Sequence, residues 1–264
     1  MTDVLTMSYR NLVVTEADRI AQVTMNRPEK RNALSLEHMN ELIECFDALG
    51  RNRDIAVVIL RGNGPAFCSG HDLTELIGRD LDFYRHEFDV CTVLMEKIQQ
   101  IPQPVIAQVH AIATAAGCQL VASCDLAVAS TAAKFATPGV KIGLFCSTPM
   151  VAVSRAMGRK KTLEMLLTGD PISAQEALAY GLINRVVAPE DLERETRTLA
   201  AKIAAASTYV VSLGKAAFYR QLDLPQAEAY AYARDVMSSN ALAADAQEGM
   251  SSFLEKRTPR WTNR

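Results

Sequence analysis

Ile101-Pro-Gln-Pro-Val-Ile-Ala-Gln-Val-His-Ala-Ile-Ala-Thr-Ala-Ala-Gly-Cys-Gln-Leu-Val-Ala-Ser-Cys-Asp125 holds the pattern on which the fold turns. The apolar run Val105–Val109 reads as a buried strand. Small residues follow from Ala113 to Gly117, and an apolar helix begins after them. Small residues let backbone approach a ligand, and the N-terminus of a helix, with unpaired N–H groups and the positive end of its dipole, favours negative charge. Such a passage is built to hold an oxyanion. On periodicity alone, tight packing of a helix on a strand accounts for it equally well.

Outward from this stretch the chain alternates short β-rich runs with amphipathic helices, the signature of α/β architecture. Strands are expected at Leu12–Thr15, Ile20–Met25, Ala56–Arg61, Val105–Val109, Leu126–Ala129 and Ile183–Val187. Leu36–Leu49 places Met39, Leu42, Ile43, Phe46 and Leu49 on one helical face, with Ser35 as N-cap and Gly50 past the end. Ser173-Ala-Gln-Glu176 is a capping box, closed by a C′ glycine at Gly181. From about Asp191 strand signals stop, and helices are expected at Asp191–Ala206, Tyr209–Gln221, Gln226–Met237 and Ala243–Glu255. This alanine-rich tail is too thin to hold a core alone, so it should pack on the α/β part, on a neighbouring subunit, or on both. Residues 1–190 are therefore expected to form the α/β core and residues 191–264 a helical region, with the seam at Val187–Pro189.

The 264 residues are 49% apolar, enough for a sizeable core. Thirty acidic residues nearly balance 28 basic ones with no Lys/Arg block, which argues against a nucleic-acid surface or a polybasic membrane anchor. No stretch approaches the roughly 18 apolar residues of a membrane span, and Met1–Arg10 lacks both an apolar leader core and a run of arginines. The expected compartment is cytoplasmic, or the mitochondrial matrix if a transit peptide was removed. Six cysteines (Cys45, Cys68, Cys91, Cys118, Cys124, Cys146) are scattered without metal-ligand spacing; no metal is expected, and most should be reduced, buried hydrophobes.

Two further stretches stand out. Arg61-Gly-Asn-Gly-Pro-Ala-Phe-Cys-Ser-Gly-His-Asp-Leu73 runs a strand into a glycine-rich turn that can expose backbone N–H groups to a ligand. Lys134-Phe-Ala-Thr-Pro-Gly-Val-Lys-Ile-Gly-Leu-Phe-Cys-Ser-Thr-Pro149 is a turn-rich apolar passage of the kind that lines pockets.

Asn26-Arg-Pro-Glu-Lys-Arg-Asn-Ala-Leu34, Phe67-Cys-Ser-Gly-His-Asp-Leu73, Pro104-Val-Ile-Ala-Gln-Val109, Ala116-Gly-Cys-Gln-Leu120, Cys124-Asp-Leu-Ala-Val-Ala-Ser130 and Gly169-Asp-Pro-Ile-Ser-Ala-Gln-Glu-Ala-Leu178 resemble, in order and spacing, the enoyl-CoA hydratase/isomerase (crotonase) family. The likeness runs from about Asn11 to Arg257. Gly70-His-Asp72 and Gly143–Pro149 look most like the domain-containing protein 3 subgroup. The resemblance implies a spiral core of ββα turns and a helical C-terminal region that builds homotrimers, commonly paired into a hexamer. It implies an acyl-CoA thioester as ligand, with coenzyme A entering as part of the substrate and no permanently bound cofactor. It places the two backbone donors of an oxyanion hole on His71 and Ala116, where they would grip the thioester oxygen as it becomes an enolate. It sets the CoA moiety against Lys30, Arg31, Ala33, Ser69, His71, Asp72 and Leu73, with Lys256 a candidate phosphate contact.

The family's two catalytic glutamates fall on Gln119 and Gly139, and neither side chain exchanges protons near neutral pH. General acid–base terms are typically worth about 10²–10⁴-fold each, so very little hydration is expected even with the hole intact. Decarboxylation of a malonyl-type thioester generates the enolate directly and stays open. So does a thioesterase reading, with Cys146 or Ser147 in the loop where other family members carry a catalytic acid or nucleophile, provided the thiol's pKa were lowered. A non-catalytic acyl-CoA binder is the remaining reading. The side chain of His71 could also act, although its backbone role alone accounts for its position. His38, His86 and His110 read as helix-surface or strand-packing residues.

Overall fold

The computed structural model describes residues 8–264, so the reading of Met1–Met7 as leaderless lies outside the described residues. Ten strands are present among them: β1 (Leu12–Ala17), β2 (Ile20–Met25), β3 (Val57–Gly62), β4 (Ala66–Cys68), β5 (Val105–Val109), β6 (Ile112–Thr114), β7 (Leu126–Ser130), β8 (Lys134–Ala136), β9 (Ile172–Ser173) and β10 (Arg185–Val187). They form a six-stranded sheet in the order β1-β2-β3-β5-β7-β10 and a four-stranded sheet in the order β4-β6-β8-β9. β1 and β2 make an antiparallel hairpin across Asp18 and Arg19, both at positive φ, and from β2 to β10 the large sheet is parallel.

The pairs β3/β4, β5/β6 and β7/β8 each place their first strand in the large sheet and their second in the small one. Helices follow each pair, and the unit repeats as a spiral of ββα turns. The helices are α1 (Leu36–Arg51), α2 (Leu73–Leu76), α3 (Leu81–Gln100), α4 (Ala116–Ser123), α5 (Pro149–Ala156), α6 (Arg159–Thr168), α7 (Ala174–Ala179), α8 (Leu192–Ala204), α9 (Thr208–Leu222), α10 (Gln226–Ala241) and α11 (Ala244–Glu255).

Parallel strands covered on both faces are apolar along their whole length, which is why Val57–Leu60 and Val105–Val109 contain no polar alternation beyond Gln108. Val58 and Leu60 face the main core with α1 and α3, whereas Val57 and Ile59 face a second cluster that includes Leu192, Ala200 and Ala204 of α8. α8 lies beyond the Val187–Pro189 seam yet closes the far side of the sheet. α9 is moored by Lys215, whose Nζ donates to the carbonyls of Ile98 and Gln103 and to Asp125 at 2.7–2.9 Å, and by the Tyr219 hydroxyl on Asp125. α9 and α10 bury no residue, and Tyr230, Met237, Leu242, Phe253 and Leu254 stand exposed on the tail.

The structure departs from expectation at several points. Gly50 does not end its helix: α1 runs on to Arg51 and is capped by Asn52, because a glycine fits in the last turn where its α-carbon packs beside Ile101. Gly181 does sit at positive φ just past α7, after the capping box formed by Ser173 and Glu176. No element is expected from the sequence over α3, α5 or α6, and α3 is the longest helix described. Among the described residues no helix is long and apolar enough to cross a membrane, and no group of His, Cys, Asp or Glu is arranged to hold a metal ion.

Candidate active site

The loop Arg27–Leu34 and the segment Ser69–Asp72 are tied into one platform. Leu34 N–H donates to the Gly70 carbonyl (2.8 Å), Asp72 N–H to the Leu34 carbonyl (2.9 Å) and Ser69 N–H to the Arg31 carbonyl (3.1 Å). Asn32, buried at positive φ, accepts from Arg27 N–H and donates its amide toward the carbonyls of Asn63, Ala66 and Phe67. Arg27 spans the platform, donating to the Ala33 carbonyl and to Asp72. Burial pushes the Asp72 carboxyl up, but hydrogen bonds from Thr74 and Arg27 outweigh it and hold the group below the usual carboxylate range. Lys30 and Arg31 are exposed on the rim, and Ala33 lies beneath them.

The second wall is the passage from β6 into α4. Ala115 has φ 51° and ψ −120°, a conformation that costs an L-residue of order 1–3 kcal/mol and persists only where neighbours impose it. Its own N–H donates to the Ala136 carbonyl, and the Thr114 hydroxyl donates to the Ser69 carbonyl. The two walls meet at Gly70: at φ +92°, a Cβ built there would lie 2.9 Å from Ala115 Cβ and 3.4 Å from Ala116 N. Ala116 opens α4, so its N–H has no partner within the helix. Among the described residues neither the His71 N–H nor the Ala116 N–H meets an acceptor. Both residues line a cavity of about 360 Å³, whose walls include Leu73, Leu76, Phe88, Leu144 and Phe145. A larger groove of about 820 Å³ between residues 50–56 and the start of α9 contains none of the expected site residues.

The two positions where the resemblance expects acids behave differently. Gln119, one turn into α4, is buried, is not part of the cavity wall, and accepts a weak hydrogen bond from Cys91 Sγ at 3.9 Å. Gly139 does line the cavity, in a 3-10 turn at Pro138–Ile142. A Cβ at Gly139 would fall 1.9 Å from the Leu144 carbonyl oxygen and 2.9 Å from Cys146 Sγ. As this loop is folded, no glutamate fits at 139; the Cys146 thiol fills the adjoining space and accepts from Gly139 N–H at 3.3 Å.

Cys146 is buried, and its burial pushes the thiol up, only partly offset by the Gly139 N–H. That is the opposite of the shift a thiolate nucleophile needs. Burial likewise pushes Cys68, Cys91 and Cys118 up to about 12, and all six cysteines are free and buried. Ser147 lines the cavity, with its hydroxyl on the Phe145 carbonyl. Lys256 caps α11 with an exposed side chain, and among the described residues no hydrogen bond or ion pair joins it to the Lys30–Leu73 platform. His86 is exposed, His110 Nε2 donates to the Gly64 carbonyl at 2.8 Å, and His38 is fully buried rather than on a helix surface.

The structure also adds a residue. Glu87 of α3 is wholly buried and lies 3.0 Å from His71 Nδ1. Its partner ring packs edge-on against Phe88, centroids 5.4 Å apart.

The sequence profile of the enoyl-CoA hydratase/isomerase family matches residues 15–264. The chain belongs to that family. Within it, the enoyl-CoA hydratase domain-containing protein 3, mitochondrial, of Rattus norvegicus is 49% identical over 249 residues, which are 94% of this chain and 83% of that protein. A crystal structure of the human domain-containing protein 3 superposes with a TM-score of 0.93 at 49% identity, covering 96% of this chain and all of that one. An enoyl-CoA hydratase structure from Mycobacterium smegmatis gives the same TM-score at 47% identity, over 95% of this chain and 98% of that one. The crotonase α/β fold and its helical C-terminal region are thereby established for this family member.

Proposed function

We propose that this chain binds an acyl-CoA thioester with its carbonyl oxygen between the N–H groups of His71 and Ala116, and stabilises the enolate form there. One observation carries this reading: two backbone N–H groups without acceptors lie on facing segments at an apolar cavity, one of them at a helix N-terminus. The CoA moiety runs along Lys30, Arg31, Ala33 and Ser69–Leu73, and Lys256 reaches a phosphate only if another copy of the chain or the ligand brings it close. Coenzyme A is part of the substrate, and no permanent cofactor takes part.

Hydration of a 2-enoyl thioester is weak or absent, because Gln119 lies outside the cavity wall and Gly139 has no room for an acid. A decarboxylase reading is favoured by the cavity wall itself, which holds no acidic side chain; its one lysine, Lys141, is ion-paired with Asp170 at 2.6 Å. Loss of carbon dioxide from a malonyl-type thioester leaves its electron pair on the α-carbon, and the hole receives the resulting enolate without a base. The exposed apolar face of α9–α11 is covered by copies of the chain in a trimer or a hexamer. The working compartment is the cytoplasm, with the mitochondrial matrix as the alternative suggested by the names of the relatives.

Calorimetry with butyryl-CoA and turnover on crotonyl-CoA and malonyl-CoA test this. Binding together with hydration at background is the expected result. Absence of binding overturns it, whereas binding without any turnover reduces the protein to a non-catalytic acyl-CoA binder.

A further inference from the structure

Glu87 is the buried polar group for which the hole does not account. Both of its oxygens are shielded from water; Oε1 meets His71 Nδ1 at 3.0 Å, and Oε2 has no partner. Burying a carboxylate is costly unless it is paired and hydrogen-bonded, and among the described residues its only ion pair is with His71. The His71 ring is itself about nine-tenths buried, and its remaining nitrogen, Nε2, is shielded like the Glu87 oxygens in this fold and has no partner either. The same residue supplies one backbone donor of the hole and lines the cavity. An imidazole held at one nitrogen by a buried carboxylate, with its other nitrogen unused, is the arrangement in which an acid–base histidine is oriented.

We propose that His71 is the proton carrier of this site, with Glu87 as its positioning residue, in place of the two glutamates the chain lacks. This rests on the thioester reading above. His71 Nε2 takes a proton from the α-carbon of the bound acyl group. The C–H electron pair passes through the carbonyl to the oxygen, which is held by the N–H groups of His71 and Ala116. Nδ1–H stays on Glu87, so the imidazolium charge forms beside a carboxylate. Return of a proton from Nε2, after exchange with solvent, restores the C–H bond, and nothing is oxidised or reduced. Phe88 packs edge-on against the ring.

The test is deuterium incorporation into the α-position of phenylacetyl-CoA in D2O, read by mass spectrometry at saturating thioester beside a calorimetric Kd. The wild-type chain is expected to bind and exchange. Glu87→Gln keeps an oxygen that accepts from Nδ1–H, so a purely structural strut would survive; exchange at saturation should nonetheless fall by roughly 10²-fold or more with Kd unchanged. Glu87→Asp, which restores the carboxylate, should recover part of the loss. Exchange in Glu87→Gln at the wild-type rate overturns the proposal, as does a wild-type chain that binds without exchanging. A wild-type chain that fails to bind overturns the thioester reading instead. If Glu87→Gln does not fold, His71→Gln decides, since it keeps the backbone N–H: loss of exchange with a native circular dichroism spectrum supports the carrier, and wild-type exchange overturns it.

Discussion

The two sides of the cavity contrast in how they are held. On the side of Ser69–Leu73 and Thr114–Gly117, cross-loop hydrogen bonds, the buried Asn32 amide and the Arg27–Asp72 pair fix nearly every backbone group, and a strained Ala115 is held in place. Among the N–H groups left without an acceptor are those of His71 and Ala116, two residues that line the cavity. On the side of Pro138–Pro149 the wall is a turn carrying exposed Ile142, Leu144 and Phe145, held by the Leu144 N–H on the Gly139 carbonyl at 3.0 Å, the Lys141–Asp170 ion pair and a weaker Gly139 N–H to Cys146 thiol contact. The first side holds the N–H groups proposed to take a thioester oxygen, while on the second the Leu144 carbonyl has closed over position 139. In the proposed reading, oxygen binding and proton transfer both fall to the first side, at His71 and Ala116.

That contrast can be broken at its tightest points. Gly117→Ala would drive a Cβ to 2.2 Å from the Cys68 carbonyl, and Gly70→Ala would press a methyl to 2.9 Å from Ala115 Cβ and 3.4 Å from Ala116 N from a φ of +92°. Each should cost about 2–4 kcal/mol by overpacking and backbone strain and abolish thioester binding, as measured by urea unfolding and calorimetry.

His38 sharpens it next. The residue is fully buried, with Nδ1 on the Ala33 carbonyl under the platform, and burial pushes its pKa down to about 4. In the unfolded chain the imidazole protonates near 6.5, so between the two values the unfolded state binds more protons. Stability is full above about pH 6.5 and falls as pH drops toward 4, by about 3 kcal/mol from this group. Unfolding curves at stepped pH should show that slope, and His38→Gln should lack its share.

On the Pro138–Pro149 side the effects are smaller. Gln119→Glu combined with Gly139→Glu should destabilise the loop by about 1–3 kcal/mol and confer no crotonyl-CoA hydration in an absorbance assay. Gain of hydration would mean that the Leu144 carbonyl gives way readily and that the two sides differ less than they do here. Cys146→Ala should cost about 1 kcal/mol or less in thermal melts. Alkylation of wild-type Cys146 by iodoacetamide at pH 7.5 should be slow, since burial pushes the thiol up.

Much of this was legible in the sequence where a pattern had a single physical cause. Unbroken apolar runs such as Val105–Val109 can only be buried strands between helices, the Ser173–Glu176 box announces its helix, and the glycine and alanine pattern at 70 and 115–117 marks a close approach of two backbones. α3 was hidden because its inward stripe of Glu87, Cys91, Leu94, Met95 and Ile98 begins with a charged residue, which weakens the apolar period. With that helix unassigned, the contact of Glu87 with His71, sixteen positions away, has no local signal. The small sheet escaped because its strands are only two or three residues long. The closure over Gly139 depends on where the Leu144 carbonyl folds back, which side-chain identities do not encode.

The infrared spectrum of butyryl-CoA labelled with ¹³C at the thioester carbonyl tests the central claim most directly. On binding, the carbonyl stretch should move to lower frequency, as two N–H groups polarise it, while crotonyl-CoA hydration by the same preparation stays at background. A bound thioester whose stretch matches that in solution would contradict the assignment of His71 and Ala116 as its donors.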